Sequence, residues 1–207
     1  MKFQLHRVWI GDLLARSIVS GLLLIFAASL LEDFRQTGRL TGLLLLASEL
    51  LVAILMIFRR RTLDVDRSAV SMLLTIASVA GPFLFRPSGV LSPVSDAATV
   101  SLSAVGLLVV IAGKLTLGRS FGIIPANRGV VTAGPYALVR HPIYLGYLLT
   151  HVAYVIANPT MPNVFVLIIA DAALVLRALR EERTLEKDER YQAYCRRVAW
   201  HVVPGVF

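Results

Sequence analysis

Two clusters of residues have types and spacings that can do chemistry. The first is Arg128-Gly129-Val130-Val131 with Tyr136, followed closely by Arg140-His141-Pro142-Ile143-Tyr144-Leu145-Gly146. Gly134-Pro135 predicts a turn between the two pieces. Pro142 biases His141 away from helix and suits the first position of the helix that follows. His141, Ile143 and Tyr144 are therefore expected at a helix N-terminus, where unpaired backbone N–H groups receive a carboxylate or another acceptor. Such a place suits a polar cofactor. The second cluster is Arg177 with Glu181 and Glu182. Four residues apart on a predicted helix, Arg177 and Glu181 face the same way. Metal chemistry is unattractive, because His6, His141, His151 and His201 lack ligand-like spacing and Cys195 is the single cysteine.

The elements that must position these clusters are apolar. Of 207 residues, 57% are hydrophobic and 16% charged, against about 45–50% and about 25% in ordinary soluble domains. The mean hydropathy is +0.72, the opposite of a disordered chain. A spanning helix needs about 20 mostly apolar residues. Runs of that kind extend approximately from Leu13 to Leu31, Leu40 to Phe58, Ala69 to Phe85 and Ala97 to Leu117. Two shorter ones, Ile143 to Ala157 and Val164 to Leu176, flank the turn Asn158-Pro159-Thr160-Met161-Pro162-Asn163 and read as a tight helical hairpin. The expected fold is an all-α polytopic membrane bundle of about six hydrophobic helices, the last two a hairpin, with five full spans as the alternative, plus a cytoplasmic amphipathic C-terminal helix. The first run reads as a signal anchor rather than a cleaved signal peptide. The whole chain is expected to form one membrane domain, with N-terminal helices over 1–117 and the candidate site over 118–207.

Charge sets the expected orientation. The net charge of +8 fits basic cytoplasmic loops better than nucleic-acid binding in so apolar a chain. With six spans accepted, all of the 21 Lys and Arg residues except Arg35, Arg39 and Arg86 fall on one side. The positive-inside rule makes that side cytoplasmic and puts both termini there. Beyond Arg177, the segment Leu176 to Val198 alternates charges with Leu179, Leu185, Tyr191 and Tyr194, which predicts an amphipathic cytoplasmic helix. Glu49 and Asp171 interrupt apolar runs and must face protein or a watery cavity; a substrate-channel role and a structural hydrogen bond compete for each. His151 reads as a structural hydrogen-bonding group.

The ordered set is Gly134 and Tyr136, then Arg140 to Gly146, an apolar hairpin, Arg177 with Glu181 and Glu182, Tyr191 with Tyr194, and Pro204. It resembles the isoprenylcysteine carboxyl methyltransferase family and its phospholipid methyltransferase-like relatives, from about Gly118 onward. The resemblance implies an integral membrane enzyme that transfers a methyl group from S-adenosylmethionine and releases S-adenosylhomocysteine. It implies cofactor contacts at Arg128, Gly129, Val130, Val131, Tyr136, His141, Pro142, Ile143, Tyr144 and Glu181. It also implies that Arg177 binds a substrate carboxylate. The family's acceptor is a prenylated cysteine carboxylate, so a lipophilic small molecule or lipid is the expected partner, in the plasma membrane of a prokaryote. Methylation on O, N or S is open.

The chemistry agrees with so sparse an inventory. An activated methyl group needs alignment and desolvation of its acceptor more than proton-transfer machinery. A low-dielectric pocket strengthens the hold of Arg177 on a carboxylate, and Glu181 is placed to pair with cationic parts of the cofactor. Bland roles compete: a surface ion pair for Arg177 and Glu181, a helix cap for His141, an interfacial aromatic for Tyr144, packing for Tyr191, Tyr194 and Cys195. At the level of function, a sterol-reductase-like enzyme using NADPH competes, as does a non-enzymatic membrane scaffold or transporter. Against these, no Gly-rich dinucleotide fingerprint and no inverted repeat occur.

Overall fold

A computed structural model describes residues 21, 24–58, 68–120 and 129–207, with side chains described except at 51–58 and 119. Arg128 and most of the first apolar run lie outside the described residues. Among the described residues there are seven α-helices and no strand. They are α1 (24–37), α2 (Thr41–Phe58), α3 (Ala69–Ala80), α4 (Asp96–Leu117), α5 (Pro142–Ala157), α6 (Met161–Leu185) and α7 (Glu189–Cys195). Local chemistry sets several boundaries. Ser68, Ser95 and Thr160 cap α3, α4 and α6 by accepting from the backbone N–H groups of Ser71, Ala98 and Asn163. Pro82 turns the end of α3 into a 3-10 turn over Gly81–Leu84. Gly118, at φ 51°, closes α4.

The helices α4 and α6, of 22 and 25 residues, are long and apolar enough to cross a membrane. Only 28% and 33% of their most apolar stretches are buried within the protein, and the exposed remainder includes Val105, Leu108, Phe165, Ile168 and Ile169. A soluble core would enclose such side chains; these face outward, as a bilayer requires. Thr41–Leu50, Ala69–Leu84 and Pro142–Ala157 are shorter apolar helices. At 16 residues, α5 reaches about 24 Å, short of the roughly 30 Å hydrocarbon layer.

The predicted hairpin is present, and its turn is built by two asparagines. Asn163 Nδ2 donates to Asn158 O at 3.0 Å and to Arg86 O at 2.8 Å. Asn158 Oδ1 accepts from Ser88 N at 2.9 Å. The turn is thereby tied to the segment that follows α3. On the other side of the hairpin, α4 packs most extensively on α5, because two glycines let the backbones approach. A Cβ on Gly146 would lie 2.6 Å from Gly106 O, and one on Gly106 would lie 2.7 Å from Gly146 O.

The tail departs from the expected single amphipathic helix. The helix α6 continues without a break from the apolar hairpin through Arg177, Glu181 and Glu182 to Leu185. The chain then turns, Asp188 caps α7 through Arg190 N, and α7 ends at Cys195. A continuous α6 carries the charged residues on the same rod as the apolar ones, so they stand directly above the hairpin. The residues after α7 fold back, and the N–H groups of Arg140 and His141 donate to Trp200 O and His201 O at 2.9 and 2.8 Å.

Candidate functional site

The start of α5, the charged end of α6, α7 and the strap over 129–140 enclose a cavity of about 1050 Å³, counted with its open mouth. Its walls include Gly129, Val130, Val131, Tyr136, His141, Ile143, Tyr144, Arg177 and Glu181. The structure thus brings the sequence-predicted site residues to one cavity, with two exceptions. Arg128 lies outside the described residues. Pro142 is buried at the first position of α5 and does not line the cavity; it shapes the helix start.

The expected free backbone donors at that helix start are mostly engaged. Tyr144 N and Leu145 N both donate to His141 O at 3.1 Å, and His141 N is taken by His201 O. What faces the cavity is instead side-chain chemistry. His141 makes no capping bond. Its ring stacks on Tyr144 with centroids 5.2 Å apart and planes 3° from parallel. The Tyr144 hydroxyl donates to Glu181 Oε2 at 2.8 Å. The Arg177 guanidinium lies over the Tyr144 ring, 5.2 Å from its centroid.

Arg177 is not part of a surface ion pair. It is 5% exposed, its Nη1 donates to Ser78 Oγ at 3.2 Å, and its Nε is a buried donor with no hydrogen-bond partner. A buried cationic donor left open is costly unless a ligand completes it. Together with the Glu181 carboxylate held by Tyr144, it gives the cavity one anion-binding and one cation-binding wall. That donor set fits a zwitterionic cofactor and an acidic acceptor.

Behind the cavity wall lies a hub that sequence reasoning left unassigned. Glu182, 4% exposed, accepts from Arg140 Nη1 at 2.8 Å and lies 3.0 Å from His141 Nε2 and 2.6 Å from His201 Nδ1. Arg140 also donates through Nε to Val198 O at 2.8 Å. Burial, the largest single influence, would lower the pKa of Arg140, but the hydrogen bond and charge of Glu182, with smaller contributions from Cys195 and Tyr191, together outweigh it and raise the value. The signal was present as the second glutamate of the Glu181-Glu182 pair. Tyr194 belongs to the same frame: its hydroxyl donates to Tyr136 O at 2.7 Å, and burial raises the pKa of both tyrosines. Tyr194 thus ties α7 to the strap, and with Tyr191 it also borders the cavity. Burial pushes the Cys195 thiol up as well, which leaves it protonated and unsuited to nucleophilic attack.

Comparison with known proteins now has a geometry to explain. Residues 97–191 match the phospholipid methyltransferase family. That family is one of membrane methyltransferases, related to the group that the sequence motifs resemble, and the match covers a little under half of the chain. The match begins at α4 rather than at Gly118, and so takes in the helix whose glycines seat α5. The chain is also 33% identical over 102 residues to Delta(14)-sterol reductase TM7SF2 of Mus musculus, a match covering 47% of this chain and 23% of that protein. The chain therefore spans less than a quarter of that relative's length.

Proposed function

We propose that this chain is an integral membrane S-adenosylmethionine-dependent methyltransferase that acts on a lipophilic acceptor at the cytoplasmic membrane face, with both termini in the cytoplasm. The observation that carries this reading is the convergence of Tyr144, Glu181 and Arg177 on one cavity at the charged end of apolar helices, within a segment that matches a methyltransferase family. The cofactor supplies an activated methyl group on a sulfonium.

The protein's part is binding, alignment and exclusion of water. Glu181 is placed to hold the cationic end of the cofactor, in a position fixed by the Tyr144 hydroxyl. Tyr136, His141, Ile143 and the strap over 129–131 supply the surrounding wall, with the Arg128 position joining it on the family resemblance. Arg177, with Nε open and Nη1 tied to Ser78, is placed to hold an anionic group of the acceptor, a carboxylate on the isoprenylcysteine carboxyl methyltransferase pattern. The exposed apolar faces of α3, α4 and α6 let that acceptor arrive from the bilayer.

A reductase reading has one observation behind it, the 102-residue likeness to the sterol reductase. Isothermal titration of the detergent-purified full chain separates the two. Heat with S-adenosylhomocysteine and S-adenosylmethionine is expected. NADPH binding with no heat from either sulfur ligand would replace the methyltransferase by the reductase.

A further inference from the structure

The two charged walls of the cavity stand four residues apart on one face of α6, and each could neutralise the other. At that spacing an arginine and a glutamate are neighbours on a helix surface, and a site shielded from water strengthens their attraction. Arg177 and Glu181 nevertheless form no ion pair. Glu181 Oε2 accepts from the Tyr144 hydroxyl at 2.8 Å, and the guanidinium donates through Nη1 to Ser78 Oγ at 3.2 Å.

Tyr144 does not account for the separation. Its ring lies under the Arg177 guanidinium and its hydroxyl holds Glu181, so it brings the two to the same place. Ser78 meets Arg177 and not Glu181. It comes from α3, which precedes the matched residues 97–191. Its hydroxyl hydrogen is committed to Thr75 O at 3.2 Å, which leaves the Oγ lone pairs to accept from a cation. Both side chains are buried, where a hydrogen bond to a charged group is strong because water does not replace it.

Ser78 is itself held in place. A Cβ on Gly81, three residues further along, would lie 2.7 Å from Ala170 Cβ, so α3 is seated tightly on α6. That contact falls about two turns nearer the start of α6 than Arg177. Side chains on a helix lean toward its N-terminus. Ser78 therefore receives the guanidinium on the side that leads away from Glu181, which stands one turn in the other direction.

We propose that Ser78 is a positioning residue that keeps Arg177 from pairing with Glu181, so that the Glu181 carboxylate stays open to the cationic end of the cofactor. This rests on the methyltransferase reading above. Without the Ser78 oxygen the buried guanidinium loses an acceptor, and the carboxylate within its reach on the same helix face is Glu181. Their ion pair would close the cation-binding wall. Cofactor then binds only the fraction of molecules in which Glu181 is open, and the apparent affinity falls by that fraction.

The test is isothermal titration of S-adenosylhomocysteine, which keeps the cationic amino group, into the detergent-purified full chain and its variants. Ser78→Ala should weaken binding on the order of tenfold, the loss expected if Glu181 stays open in about a tenth of the molecules. Ser78→Thr, which keeps an acceptor oxygen, should bind as the parent does. Ser78→Ala combined with Arg177→Met should recover the affinity of Arg177→Met alone, because no cation is left to close on Glu181 and methionine keeps bulk against Tyr144. If Ser78→Ala melts early, Ser78→Cys takes its place, being close in size and a poor acceptor. Parental affinity in the folded Ala or Cys variant overturns the proposal, and so does a loss that persists in the double variant, which would make Ser78 a packing residue. Either result leaves the methyltransferase standing. Failure of the parent to bind S-adenosylhomocysteine removes the methyltransferase reading itself.

Discussion

The Arg140 guanidinium donates to Glu182 Oε2 at 2.8 Å with the two side chains 12% and 6% exposed, which pins the entry of α5 to the charged end of α6. Arg140 borders the cavity while Glu182 lies behind its wall, where it also meets His141 and His201. The pair fixes the distance between Tyr144 and Glu181, one residue or a few away on each helix. Removing one member of a buried pair leaves an uncompensated charge, at a cost of about 3–5 kcal/mol. Arg140→Ala should accordingly lower the melting temperature of the purified protein and loosen the strap over 129–140 to proteolysis. An unchanged melting curve would show that the hub carries no stability.

The apolar order of this chain was legible because a bilayer demands long apolar helices, and the start of α5 and the hairpin turn follow from Pro142 and the Asn158–Asn163 segment. The tail was misread because Arg177 to Leu185 has an amphipathic pattern of its own; only packing shows that it prolongs α6. Tyr136, His141, Tyr144, Arg177 and Glu181, which meet in one cavity, were legible as motif. Glu182 and His151 were not assigned partners, since those partners lie 19 to 42 positions distant in sequence, which no local spacing reveals.

The close approach of α4 and α5 can be tested directly. A Cβ at Gly146 would meet Val110 Cγ2 at 2.5 Å, Gly106 O at 2.6 Å and Val110 N at 2.9 Å, two of them backbone atoms that cannot swing aside. Gly146→Ala should destabilise the protein by about 1–3 kcal/mol, as overpacking of a tight contact does. Gly89→Ala, which meets nothing within 4 Å, serves as the neutral control in the same thermal melts.

Topology is open to labelling at two exposed positions. Leu138, 70% exposed, lies on the strap beside the cavity mouth; Met161, 80% exposed, begins α6 at the hairpin turn. Asn158 is unsuitable as a probe because it is buried and holds the turn together. In a Cys195→Ser background, Leu138→Cys should react with an impermeant reagent from the cytoplasm and Met161→Cys from the opposite side. Labelling of both from one side would make the hairpin re-entrant.

Arg177 and Glu181 share a helix face but not a partner, so their variants should fail in different ways. Glu181 is held by the Tyr144 hydroxyl, whereas Arg177 is held by Ser78 and lies on the Tyr144 ring. If Glu181 binds the cofactor, Glu181→Gln loses a charge-assisted contact of about 1.5–3 kcal/mol, on the order of ten- to a hundredfold in S-adenosylhomocysteine affinity. Tyr144→Phe frees the same carboxylate and should weaken binding in the same direction by less. Arg177→Ala should leave cofactor affinity nearly intact and suppress turnover of an acceptor that bears an anionic group, since that group is no longer held in alignment. Melting curves for all three variants separate these effects from misfolding, because Arg177 is buried and its removal opens space beneath Tyr144. Parental cofactor affinity and parental turnover in folded Glu181→Gln and Arg177→Ala proteins would remove both residues from the site.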